Sequence, residues 1–392
     1  MKFSWNEHIK TLLKKQKKAN LFRTCLTFIN GADLYLTFKT KKVLNLASNN
    51  YLGLANNPSL IKETITLLQK YGIGAGASPL ISGHSELTFN LENTLAKFKH
   101  TEACLVFSSG YTTNIGIFSA LADKNTLVFS DKLNHASIID GILLSQAKLI
   151  RYKHLDIEHL DYLLKKYTAY PKKILVTDSI FSMDGDIAPL NDLVYLKKKY
   201  NFLFIIDEAH ATGIFGQGRG LAHEFKVQKE IDIQMGTFSK ALGTQGGYVC
   251  ANKNIISLLI NKARSFIFST AISPVIAGST LAAINFIKKH PNNSKKLLTL
   301  AKDIKDYLNN LNFDTGNSCS QIIPIILKDP VLTLKAKDFL LEQDIFIPAI
   351  RPPAVPPNTS RLRISLRADL QDQDILKIKQ SFKNLKEFLA KC

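Results

Sequence analysis

A chain of 392 residues with 45% hydrophobic and 21% charged side chains has an ordinary globular composition, and its length suffices to bury a large core, near ~75% of the unfolded surface. No run approaches the ~18 apolar residues of a membrane span, and the opening MKFSWNEHIK lacks the apolar centre of a secretion signal. The net charge of +19 fits an anionic small substrate, an acidic carrier protein or a merely lysine-biased composition; basic runs as short as KKQKK, with no aromatic residues interleaved, argue against nucleic acid.

The first element is a lysine-rich helix from the capping-box pattern SWNE to about residue 20. Two short strands follow near 33–38 and 42–46, so residues 1–44 read as an arm packing with a small domain. LASNNYLGL is a loop, and a helix runs over 58–71. The glycine-rich GIGAGASPLISG over 72–83 suits close backbone approach or a flexible connection; it lacks the GKS or GKT ending of a phosphate loop. After a helix near 85–99, strands and helices alternate: ACLVFS, TLVFS, a helix near 136–146, KLIRY, a helix near 156–167, KILVTD, a helix near 190–199 and FLFIID. IDIQMGT and GGYVCA complete a doubly wound α/β unit, a large domain over 45–289 with a mostly parallel sheet. A long helix over 274–289 ends at HPNNSKK, the composition break that opens a smaller α+β domain over 290–392. The odd cysteines, Cys25, Cys104, Cys250, Cys319 and Cys392, show no CxxC spacing. They predict reduced thiols in a cytoplasmic protein, without disulfides or a metal site.

The chemistry concentrates between residues 202 and 248. FLFII is a continuous branched and aromatic run, the pattern of a strand buried on both faces. It ends in Asp207, at the sheet edge where α/β folds place ligands. Lys240 follows in TFSKALG, among small and hydroxyl residues. Burial disfavours an ammonium, and a lysine that is neutral part of the time forms Schiff bases and acts as a base. A strand-end acid and such a lysine are what pyridoxal phosphate requires, the amine on its aldehyde and the acid on its ring nitrogen. Alone, Lys240 reads equally as a solvated lysine and Asp207 as a cap or turn residue. Other pieces gather at further strand ends. SSGYTTN opens a helix, either as a phosphate site through its serine, its glycine and free backbone amides or as a plain N-cap. His135 is a stacking ring or a structural histidine. Ser182 sits in a turn, while His210 and Thr237 flank Asp207 and Lys240.

IIDEAHATGIFGQGRG, GTFSKALGTQGGY and AIRPPAVPPNTSRLRIS resemble the pyridoxal-phosphate-dependent α-oxoamine synthases. The resemblance runs from the Trp near the start to about residue 370, and implies the aspartate-aminotransferase-like fold, pyridoxal phosphate fold type I. It implies Lys240 as the Schiff-base lysine and acid/base, Asp207 on the pyridinium nitrogen and His135 stacked on the ring. Ser182 and His210 would face the phenolic oxygen. Gly110, Tyr111 and Thr237 would hold the phosphate, with Thr270 reaching it from the second subunit of a homodimer whose active sites lie at the interface. Asn49 and Arg363 would hold an amino-acid carboxylate, and Arg23 and the Ala354 position belong to the acyl substrate. RPP-x-VP followed by TSRLR favours the family member that condenses L-alanine with a pimeloyl thioester, on coenzyme A or an acyl carrier protein, in biotin biosynthesis. The runner-up is a sister synthase using glycine with acetyl- or succinyl-CoA; from another class, a catalytically silent partner subunit or a basic binding protein. Ala354, Asp178, Pro79 and Thr88 stand where the family commonly has Thr, Glu, Arg and His, which leaves acyl-chain and carrier preference open.

Overall fold

The computed structural model describes residues 3–391, which divide into two compact units. One comprises the chain up to Ser48, residues 183–185, and everything from Thr299 on; the other spans Asn49–Ser182 and Asp186–Leu298.

The first unit opens with the helix Trp5–Lys18, capped by Ser4, whose side chain accepts from the Glu7 amide, and with no buried residue. Strands β1 (Tyr35–Phe38) and β2 (Lys41–Asn45) form a hairpin in which Leu36 pairs with Val43 on one face, while Leu44, on the opposite face, is buried as well.

The second unit is built on a seven-stranded sheet of β3 (Ala103–Phe107), β4 (Leu127–Asp131), β5 (Lys148–Tyr152), β6 (Lys173–Asp178), β7 (Leu203–Asp207), β8 (Ile233–Thr237) and β9 (Gly247–Ala251), in the order β3-β9-β8-β7-β6-β4-β5. Apolar runs without alternation mark inner strands buried on both faces: Phe204, Ile205 and Ile206 of β7 are each at most 1% exposed. The core packs Phe107, Ile117, Phe118, Val128, Val176, Ile205 and Met235 between helices and sheet. Six strands run in one direction, whereas β9 is antiparallel to both neighbours, β3 and β8. Its amino end therefore meets the carboxyl ends of β3 and β8, with Gly247 opposite Phe107 and Thr237. A Cβ on Gly247 would lie 2.4 Å from Thr113 Oγ1 and 2.8 Å from the Gly110 nitrogen. Glycine there lets the helix Gly110–Leu121 sit down on the sheet edge.

In the first unit, the C-terminal part adds β10 (Ile322–Lys328), β11 (Ile345–Phe346), β12 (Ala349–Ile350) and β13 (Ser360–Ser365). β10, β13 and β12 form a second antiparallel sheet, and β11 joins β2 in parallel. β11 and β12 are two residues each and belong to different sheets; Pro348 between them has no amide to continue a ladder. The helix Asp372–Leu389 closes the chain. No helix among the described residues is long and apolar enough to cross a membrane.

Candidate active site

The carboxyl edge of the large sheet surrounds a cavity of about 230 Å³, lined by Gly110, Tyr111, His135, Ser182, Asp207, His210, Thr237 and Lys240. The cavity's size is just below the ~300–1,000 Å³ of drug-sized sites. Each of these groups arrives by a local device. β3 gives way to a helix through Ser109, whose hydroxyl accepts from the Thr112 amide at 3.1 Å while Thr112 Oγ1 accepts from the Ser109 amide at 3.0 Å. This capping box leaves the first-turn amides at Gly110 and Tyr111 directed at the edge, an anion-binding arrangement. Gly110 also lies close to Thr237: a Cβ on it would be 3.3 Å from the threonine Cβ.

Asp207 ends β7 beside Asp178 of β6 and Met235 of β8. Its Oδ1 accepts from the Ala209 amide and its Oδ2 from Asn114 Nδ2, both at 2.9 Å. Asn114, one helical turn beyond Gly110, also donates to Ser137 at 2.9 Å, and its Oδ1 is buried without a partner. The next residue, Glu208, is fully buried and ion-paired with buried Lys99, while Glu208 Oε1 accepts from the Ala222 amide at 2.9 Å. Paired and hydrogen-bonded in this way, Glu208 anchors the backbone immediately after Asp207.

His135 is placed by Asn134, which donates to the Val176 carbonyl at 2.9 Å and accepts from the Asp178 amide at 2.9 Å. The His135 amide donates to Asp178 Oδ2 at 2.8 Å. Its Nδ1 accepts from the Ser137 amide at 3.2 Å, so the neutral ring carries its proton on Nε2. Burial pushes this imidazole below its ordinary range; the Asp207 charge opposes that and the Lys240 charge adds to it. Burial also pushes the Asp178 carboxyl well up, and the nearby Asp207 charge adds to the effect. Desolvation and a like charge thus act in the same direction on this acid.

On the far side, His210 Nδ1 is 2.6 Å from the Tyr51 hydroxyl, which is 3.1 Å from Asn49 Oδ1. Lys240 sits in a turn closed by the Gly243 amide to the Lys240 carbonyl at 3.0 Å; glycine is needed there because its φ is +68 and Ala55 leaves no room for a Cβ. Thr237 Oγ1 donates to the Gly246 carbonyl at 2.7 Å.

Eight of the expected residues therefore meet around one cavity. Thr270 does not line it; it is exposed near the end of a short helical turn. Arg23, Arg363 and Ala354 belong to the other unit. There Arg363 is 5% exposed and donates to Ser365 Oγ at 2.8 Å. Arg23 donates to the Pro352 carbonyl at 2.9 Å, and Ala354 is exposed. Sequence reasoning did not single out Asn114, Ser137 or Arg351. Asn114 carried a signal, four residues after the Gly110 that opens its helix, and Arg351 opens the RPP-x-VP motif; Ser137 carried none.

The match to a model of class I and II aminotransferases covers residues 41–382. The 8-amino-7-oxononanoate synthase of Geobacter sulfurreducens is 43% identical over 368 residues, 93% of this chain and 94% of the relative. That of Geotalea daltonii is 44% identical over 367 residues, 93% of each. Among solved structures, a Sphingomonas wittichii serine palmitoyltransferase superposes with a TM-score of 0.94 at 28% identity over 99% of both chains. An 8-amino-7-oxononanoate synthase from Francisella tularensis superposes at 0.78 with 30% identity, over 89% of this chain and 98% of that one. The chain belongs to the class I and II aminotransferase family, with the α/β architecture of fold type I. Within that family it stands with the 8-amino-7-oxononanoate synthases, acyltransferases of biotin synthesis.

Proposed function

We propose that this enzyme condenses L-alanine with a pimeloyl thioester, releasing carbon dioxide and the free thiol carrier and forming 8-amino-7-oxononanoate, with pyridoxal 5'-phosphate as cofactor. The observation that carries the reading is the single cavity in which Lys240, Asp207, His135 and the Gly110 helix start converge. The residues fit that cofactor: an amine, a strand-end carboxylate, a flat neutral ring, a helix N-terminus for a phosphate, and the partnerless oxygen of Asn114 behind the acid.

When bound, pyridoxal phosphate supplies a ring that accepts the electron pair left at the amino-acid α-carbon. Lys240 would hold the aldehyde carbon until the amino-acid amine displaces it, and the freed lysine amine would then take the α-proton and give one back to the product. Asp207 keeps a proton on the ring nitrogen, oriented by Asn114 and Ala209. His135 covers a ring face and excludes water, while Ser182 and His210 hydrogen-bond the phenolic oxygen. Amides at Gly110 and Tyr111, with Thr237, hold the phosphate. For the amino-acid carboxylate, the first unit offers Arg363, whose planar guanidinium can make two parallel hydrogen bonds, and the second offers the Asn49 amide. For the far carboxylate of the pimeloyl chain, the first unit offers Arg23 and, beside it, Arg351. Burial and the charge of Arg23 both lower the Arg351 guanidinium, and its Nε is buried without a hydrogen bond. Two cations held this close favour an anion between them.

Steady-state assays that identify the product by mass test the reading. Alanine with a pimeloyl thioester is expected to outperform glycine with acetyl- or succinyl-CoA by at least about tenfold, as each missing methyl or methylene costs ~1–3 kcal/mol in a fitted site. Equal turnover would assign the enzyme to a sister synthase. If the +19 charge recruits an acidic acyl carrier protein, KM for the carrier-bound donor rises several-fold from ~50 to ~300 mM salt while that for a CoA donor changes less; identical salt responses leave the charge compositional.

The assembly we propose is a homodimer in the cytoplasm. The helix Trp5–Lys18 leaves Trp5 71%, Ile9 49% and Leu12 47% exposed. In the other unit, Ile73 (84%), Ile81 (80%) and Phe268 (71%) are exposed where the segment 72–83 adjoins residues 268–273. Apolar surfaces of this kind mark interfaces, and a dimer formed through the second would bring Thr270 to the seam. Light scattering should give twice 43.8 kDa; a single-chain mass would remove the role of Thr270.

A further inference from the structure

Outside the cavity, one cluster of buried titratable groups has no part in the chemistry above. His154 lies just beyond β5, and each of its ring nitrogens faces a carboxylate: Nδ1 is 2.9 Å from Asp131 Oδ1, and Nε2 is 2.8 Å from Asp186 Oδ2. Asp131 ends β4 and is fully buried. Its Oδ1 also accepts from the Leu133 amide at 2.8 Å, and its Oδ2 from the Leu155 amide at 2.9 Å. Asp186 is 6% exposed, and its Oδ1 is buried without a hydrogen bond. A neutral imidazole has one N–H and one lone pair and satisfies only one such neighbour; the imidazolium satisfies both. Burial opposes the charge, yet the hydrogen bonds to Asp131 and Asp186 outweigh it and push the ring up to about 10. His154 is therefore a cation at neutral pH, holding two charge-assisted hydrogen bonds.

Asp186 closes the turn that carries Ser182. The Phe181 amide donates to the Asp186 carbonyl at 3.1 Å, the Ala188 amide donates to the Ser179 carbonyl at 3.0 Å, and Ile180 bridges Ile187. Phe181, 1% exposed, meets the His154 ring edge-on with centroids 4.4 Å apart. The residue before Ser182 and the residue four after it are thus both seated on one imidazolium.

We propose that His154 is a positioning residue: clamped between Asp131 and Asp186, it holds the turn that keeps Ser182 at the wall of the cofactor cavity. The inference rests on the reading of Ser182 as a cofactor contact. His154→Gln keeps one donor and loses the charge; Asp186→Asn breaks the same ion pair from the other side and serves if the first variant folds poorly. Hydrogen exchange in the full cofactor-free chain should accelerate at least about tenfold, about 1.4 kcal/mol, in peptides spanning 179–188, with no change in those spanning β7 and β9. In the loaded protein, the absorption bands of bound pyridoxal phosphate should shift in relative height and its affinity should weaken by about tenfold. Unchanged exchange over 179–188 overturns the proposal. So does acceleration that spreads equally to β7 and β9, which marks a general stabiliser. So does a cofactor spectrum that neither variant moves. A natural chain that binds no pyridoxal phosphate removes the cofactor reading itself, a failure visible before any variant is made.

Discussion

Lys240→Ala is expected to lower turnover by at least ~10³-fold, because one substitution removes both the nucleophile for the cofactor aldehyde and the base for the α-proton, and general acid–base catalysis alone contributes ~10²–10⁴. The geometry makes compensation difficult. Lys240 projects from a turn fixed by its own carbonyl and by Gly243 at φ +68. No other lysine lines the cavity among the described residues. The fold should survive, since Lys240 is only half-buried and the turn is held by backbone bonds. Borohydride reduction followed by peptide mass should find the cofactor joined to residue 240 in the natural chain and absent from the variant. A variant that stays yellow and fully active would end the interpretation.

The second large effect is expected from Asp207→Asn, through charge and hydrogen bonding together. The carboxylate accepts from Ala209 with one oxygen and from Asn114 with the other. An amide at 207 offers one acceptor, so its own NH₂ faces a donor. One unsatisfied group costs about 1–3 kcal/mol, to be read as lowered stability of the cofactor-free protein. Turnover should fall further, by ~10²–10⁴, because a neutral side chain no longer keeps the ring nitrogen protonated. Pairing the change with Asn114→Asp separates the two. The acceptor and donor are then exchanged, stability should recover, and turnover should stay low because the charge has moved one residue away from the ring. Recovery of turnover with stability would show that the charge at 207 is dispensable.

These two predictions rest on features that differ in how far the sequence betrays them. FLFII announces a buried strand because nothing in it alternates, and the acid that ends it must lie at the carboxyl edge of a parallel sheet. SSGYTTN announces a helix start, since hydroxyls and glycine there have few other roles. These local rules bring Gly110, His135, Ser182, Asp207 and Lys240 to strand ends, and the motifs around them carry the family likeness. The reversal of β9 was not legible: GGYVCA has the same apolar pattern in either direction, and only packing against both β3 and β8 selects one.

What the sequence by itself determined was the α/β class, the lysine–aspartate pair and the family, because each depends on periodicity or on residues adjacent along the chain. What only the tertiary structure decided was which distant groups meet. Asn114 lies behind Asp207, Lys99 pairs with Glu208, Arg351 stands beside Arg23, and His154 is held between Asp131 and Asp186. A buried charge is stable only when an opposite charge or a hydrogen bond faces it, and strands far apart in the chain supply that partner by the register in which the sheet assembles.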